Sequence, residues 1–180
     1  MKTVAFLLFL VCLVSCSKKN DQDAAVYCPE FVKTNVIAGI RNTATVEEVF
    51  AFFNTLQLRI DMMSGFFYAS PYPVDSIFSL KAQFSQKAYI NKGGFTPSVW
   101  AHYQTGVVQV TNLLWHMDVA NQQDWIAIKN ALNLSDTHGD TKNVLLIVPE
   151  GREKEWAATL RQSNLVKWTE LNCKVRVLFN

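Results

Sequence analysis

An offset of 76 residues brings the apolar pattern of this chain into register with itself. Val49, Phe52, Leu56 and Leu58 fall on Trp125, Ile128, Leu132 and Leu134, and Leu80 and Phe84 fall on Trp156 and Leu160. Tyr89-Ile90 falls on Leu165-Val166, and Pro71 corresponds to Pro149 at 78. One shift that serves two helices and a strand points to a duplicated supersecondary unit.

Each unit reads in the same order. Val36–Ile40 has the continuous apolar run of a buried strand. Thr45-Val46-Glu47-Glu48 is a capping box, followed by a helix whose apolar face is Val46, Val49, Phe50, Phe53 and Leu56. Arg59–Met63 and Phe66–Ser70 flank Ser64-Gly65 as a hairpin. Asp75 is placed to cap a second helix with Ile77, Leu80 and Phe84 inward, and Ala88–Ile90 closes the unit as a short strand. In the second unit, Ser98–Tyr103 pairs through Thr105-Gly106 with a strand over Val107–Trp115. A helix carrying Trp125, Ile128 and Leu132 follows, then the strand Val144–Val148. Pro149-Glu150-Gly151 turns into a last helix with Trp156 and Leu160, and Leu165–Phe179 forms the final strand or strand pair.

Strand–helix–strand–strand–helix–strand is the split βαβ order. The expected fold is therefore α+β: tandem ferredoxin-like units over 33–94 and 95–180, antiparallel sheets with helices packed on one face. The stretch from Leu134 to Lys142 leaves little room for the second strand of the later unit.

Ahead of the units, Lys2 precedes an apolar run, Val4–Val14, that is too short for a stable membrane span. The run ends in Leu13-Val14-Ser15-Cys16, which resembles the lipobox of bacterial lipoproteins. That resemblance implies a signal peptide over 1–15, cleavage before Cys16, and a diacylglyceryl (palmitate-bearing) thioether on its sulfur. Two or three acyl chains, each buried methylene contributing roughly 0.8 kcal/mol, would hold the protein firmly at a membrane. Residues 16–32 then comprise the lipidated cysteine and a polar tether. Ser17 in place of Asp after the cysteine implies sorting to the outer membrane of the cell envelope.

Seventeen Lys and Arg stand against fifteen Asp and Glu. Loss of Lys2 with the signal leaves a near-neutral domain without a basic run beyond the tether, so nucleic acid is not an expected partner. Cys12 leaves with the signal and Cys16 is lipidated, leaving Cys28 and Cys173 as a candidate disulfide in an oxidising compartment, or as two buried thiols. A bond there would tie both ends of the fold and stabilise it by about 2–4 kcal/mol.

The first helix start, and more clearly the segments Gly151–Trp156 and Leu165–Asn172, resemble the propeptide domains of subtilisin-type proteases. Those domains end in a strand of the type V-x-[YW]-x-E-x-[ND], matched here by Val166, Trp168, Glu170 and Asn172. The resemblance implies a protease-inhibitor or folding-chaperone module, with an exposed sheet face docking on the protease and Val177–Asn180 reaching toward its active site. The chain departs from the family in having Leu171 where proline is common and in having no protease domain after Asn180.

No motif for catalysis stands out, and neither a metal nor a cofactor is expected. His102, His116 and His138 lack metal-ligand spacing. There is no Gly-x-Ser-x-Gly elbow, and Gly93-Gly94 lacks the context of a phosphate loop. Glu150, Glu153 and Glu155 surround a helix start, where carboxylates offset the macrodipole. Trp100, Trp115, Trp125, Trp156 and Trp168 occupy apolar positions that suit core packing. Trp100 and Tyr103, near the unit boundary, are the candidate partner-contact pair. Together these features describe a lipid-anchored envelope protein with a non-catalytic binding or scaffolding role and another envelope protein as partner. A protease-inhibitor module and an envelope enzyme of unknown class are the alternatives.

Overall fold

The structure, a computed structural model, describes residues 30–90, 92, 97–111, 113–137 and 141–174. The signal, Cys16, the tether, Cys28, Gly93-Gly94, His138 and Val177–Asn180 lie outside the described residues.

The chain is α+β, with nine strands in two antiparallel sheets and four α-helices among the described residues. In order these are β1 (Phe31–Ile40), α1 (Val46–Thr55), β2 (Arg59–Ser64), β3 (Phe67–Ser70), α2 (Ile77–Ser85), β4 (Ser98–Ala101) and β5 (Val108–Thr111). Then come β6 (Leu114–Met117), α3 (Val119–Ala131), β7 (Ser135–Thr137), β8 (Asn143–Ile147), α4 (Glu153–Arg161) and β9 (Val166–Cys173). One sheet has the order β6-β2-β8-β1-β9 and the other β4-β5-β3-β7.

Both sheets contain the ferredoxin-like order, but each draws its strands from both sequence units. In the five-stranded sheet the split βαβ is β1-α1-β2 with β8-α4-β9; in the four-stranded sheet it is β3-α2-β4 with β5-α3-β7. Units 33–94 and 95–180 therefore do not each close a sheet of their own: their second halves are exchanged. The cause is local. Ser64-Gly65 does not make a hairpin, because β2 and β3 run on from one sheet into the other. Gly65 turns the chain there at φ +76, and a side chain at that point would run into the backbone of Thr141. The expected strand Val107–Trp115 likewise divides into β5 and β6, one in each sheet.

The repeat is visible in the backbone at the offset of 76. Gln57 and Asn133 both take left-handed conformations, φ 56 and φ 48. Leu58 N–H donates to Phe53 O, and Leu134 N–H donates to Lys129 O. Gln86 and Gln162 end α2 and α4 with matching bonds, to Gln83 O and Thr159 O.

Two smaller expectations change. Ser76 rather than Asp75 precedes α2, with no side-chain cap, because Val74–Ser76 forms a turn of 3-10 helix. Ala88–Ile90 is a turn, its Ile90 N–H donating to Lys87 O, and β4 takes the closing-strand position. The Thr45 capping box forms: Thr45 Oγ1 accepts Glu48 N–H at 3.2 Å, and Glu48 Oε2 accepts Thr45 N–H at 2.8 Å. Such a cap contributes about 1 kcal/mol. The short β7 finds room after Leu134.

The helices share one layer. α1 and α3 lie side by side, with Lys129 paired to Glu47 and Asn54 donating to Gln122 Oε1 at 2.7 Å. α4 covers β1 and β9, and α2 packs beside β4. Beneath them Val36, Ala38, Phe53, Ile60, Tyr68, Phe84, Trp125, Val144 and Leu146 form one buried core common to both sheets. No helix among the described residues is long and apolar enough to cross a membrane.

Candidate functional site

Strand alternation assigns every paired residue of the five-stranded sheet to one face. Val36, Ala38, Ile60, Met63, Val144, Leu146 and Thr169 point to the helices and are buried. The register places Glu170, Ile37, Leu145, Met62 and Trp115 in one row on the opposite face. Trp168, Gly39, Asn143 and Ser64 form the row on one side of it, and Asn35, Ile147 and Arg59 the row on the other. Ile37, Met62, Leu145, Ile147, Trp115 and Trp168 are only partly buried and sit outside the core cluster. This outward face is an apolar belt flanked by Asn172, Arg59 and Glu170, with Asn35 buried against Asn172.

A second exposed region caps the far end of the four-stranded sheet. β3 and β4 end there, α2 begins there, and the β4–β5 hairpin closes over it, with His102 N–H donating to Val107 O. Tyr103 is 88% and Phe78 84% exposed, joined by Tyr72, Val74 and Val107. Trp100 and Tyr103, expected together, part company: Trp100 packs edge-on against Phe67 on the outward face, while Tyr103 stacks on His102 at the tip.

The tryptophans divide in the same way. Trp125 is buried against Tyr68 and Phe84, and Trp156 packs on the core. Trp100, Trp115 and Trp168, expected inside, lie on the faces turned away from the helices; Trp115 is covered there in part, its indole nitrogen buried and the Lys92 ammonium over its ring. Of the propeptide-like residues, Val166 is buried, while Trp168, Glu170 and Asn172 occupy the outward face, Asn172 donating to Asn35 Oδ1 at 3.0 Å.

The ionisable groups serve the architecture. Lys129, nearly buried, sits between Glu47 at 2.8 Å and Asp136 at 2.7 Å. Burial pulls its pKa down, but Asp136 and Glu47 outweigh that and hold it above the ordinary 10.5. Lys142 donates to the carbonyls of Asn42 and Ala44, and burial lowers its pKa. Tyr89 donates to Asp124 at 2.6 Å; this bond, with Lys87, depresses the Asp124 carboxyl.

Glu153 does more than offset the helix dipole. It is buried and accepts N–H bonds from Thr34 and Gly151, which pull its pKa down. Glu150 pairs with Lys33, and Glu155 with Arg152. His116, at φ 48, holds Asp61 through Nδ1 at 2.8 Å and contacts Lys92 through Nε2. No group of three or more His, Cys, Asp or Glu among the described residues is placed to hold a metal ion. Cys173 is disulfide-bonded; Cys28, its expected partner, lies outside the described residues.

Of the tip, only Tyr103 is singled out by the sequence, and the open sheet face is not legible in it. The strand pattern hides the open face because its residues are as apolar as those beneath the helices. No protein-family model, curated protein or solved structure matches the chain.

Proposed function

We propose that this chain is a lipid-anchored cell-envelope protein whose folded part is a non-catalytic binding or scaffolding module, tethered to the membrane through Cys16. The observation that carries the binding role is the tip: Tyr72, Val74, Phe78, Tyr103 and Val107 exposed together at one end of the four-stranded sheet. Loops that hold large apolar side chains in water mark a contact surface. The tip belongs to the four-stranded sheet, whereas the described chain begins at Glu30, beside Lys174 and the start of β1 in the five-stranded one. A photo-reactive residue at position 103 in the anchored protein is expected to cross-link one envelope protein, and one at Lys154 on α4 is not. Equal labelling from both positions would count against the tip. Palmitate labelling that persists in Cys16→Ser would count against the anchor.

A second reading, the propeptide-like protease inhibitor, is favoured by one observation. Trp168, Glu170 and Asn172 of the propeptide-like ending share the open sheet face. Inhibition of a subtilisin-type protease that Trp168→Ala weakens would support it, and no inhibition at micromolar protein would sink it.

A further inference from the structure

We propose that the outward face of the five-stranded sheet is a homodimer interface, on which a second copy of this chain packs about a twofold axis running along the strands between β1 and β8. Its apolar side chains are only partly buried, since no helix packs on this side, and face-to-face sheet packing is a standard way to cover such a belt.

Charge selects the occupant and the axis. Within the paired rows, Arg59 stands on β2, on one flank of the belt, and Glu170 on β9, on the other. Both are exposed, and neither makes an ion pair with a described residue. Asp61, at the β2 bulge, is engaged by His116. A twofold axis along the strands exchanges β9 with β2 and β1 with β8. It brings Glu170 of the partner subunit over β2 one residue pair from Arg59, roughly 7 Å along the strand and within reach of the guanidinium. Symmetry makes the contact twice. Trp168 of the partner subunit then stands over Ser64, a bulky side chain on a small one. Rotation about an axis across the strands would instead keep β9 over β9 and β2 over β2, so Glu170 and Arg59, on strands at opposite flanks, would not meet.

The direction of the chain agrees independently. An axis along the strands keeps the two copies of β1 pointing the same way, so both Glu30 ends lie at one pole and both tethers meet a single bilayer. The crosswise alternative sends them to opposite poles. This second argument rests on the anchored reading; the charge argument does not.

The test uses the lipidated protein in detergent, weighed by sedimentation equilibrium. Arg59→Glu and Glu170→Arg change exposed side chains, so circular dichroism should find both variants folded. The wild type is expected to be a dimer. Each single variant should dissociate at least about tenfold more readily, because like charges then meet twice. Mixing the two variants should restore the dimer, since the new carboxylate at position 59 of one copy meets the new guanidinium at position 170 of the other. A monomeric wild type, single variants as dimeric as the wild type, or a mixture that stays monomeric would each overturn the proposal. A monomer that binds a subtilisin-type protease through Trp168 would assign the face to that partner instead. Dimerisation that survives while palmitate labelling proves independent of Cys16 would remove the anchored reading and leave the interface standing.

Discussion

The indole of Trp168 on β9 lies directly against the α-carbon of Gly39 on β1, occupying the volume that a side chain at position 39 would fill. Gly39→Ala is therefore expected to push the indole off the sheet and cost about 1–3 kcal/mol. The Trp168→Ala, Gly39→Ala double variant should recover part of that loss. A urea-denaturation double-mutant cycle measures the coupling, and additive effects would show that the two residues do not compete for space.

Lys129→Met removes the cation that joins α1, α3 and β7. It leaves Asp136 and Glu47 facing each other, with one Asp136 oxygen already buried without a partner among the described residues. Breaking a buried ion pair on one side costs about 3–5 kcal/mol, and the lower end applies because Glu47 is partly solvated. The folded-state pKa of Lys129 is raised above its ordinary 10.5. Its contribution is thus complete below about pH 10.5 and fades as pH climbs through the higher folded value. Above about pH 10.5 a stability profile should fall in the wild type and fall less in the variant, with no difference in slope below it.

Glu153 gives the opposite dependence. Backbone N–H groups, that of Thr34 foremost, hold its carboxyl below the ordinary 4.5. The stabilisation is present above that value and is lost as pH falls through the depressed folded one. Glu153→Gln should lower the urea midpoint at pH 7 and flatten the decline between pH 5 and pH 3. A variant that declines as steeply as the wild type would place the acid sensitivity elsewhere, with Asp124 the next group to change.

At the tip, Phe78→Ala and Tyr103→Ala should leave thermal stability within about 0.5 kcal/mol of the wild type, because neither side chain packs on the core. A loss of cross-linking from position 103 in Phe78→Ala, without loss of fold, would identify the tip as one surface rather than two isolated side chains.

The α+β class, the repeat and the first helix cap can be read from the chain because apolar spacing and capping chemistry are local. The exchange of halves cannot. It is decided at Gly65 and at the divide between β5 and β6, where a strand either turns back or runs on, and the residues there suit both outcomes. Ala88–Ile90 has the pattern of a strand yet folds as a turn, because Tyr89 and Ile90 find burial there, one through its hydroxyl on Asp124 and the other by packing. Trp168 looks like a core residue because a sheet open on one face uses the same amino acids on both.

Besides the crossing through α3, three strand-to-strand steps lead from one sheet into the other, β2 to β3, β5 to β6 and β7 to β8, and the strands they join are neighbours in both sheets. Tension that draws the two sheets apart along these strands would be shared by all three. It would load their hydrogen bonds in shear, so that many must break together rather than one after another. The two sheets are thus held to each other by several parallel strand connections, and no single one of them carries the load alone.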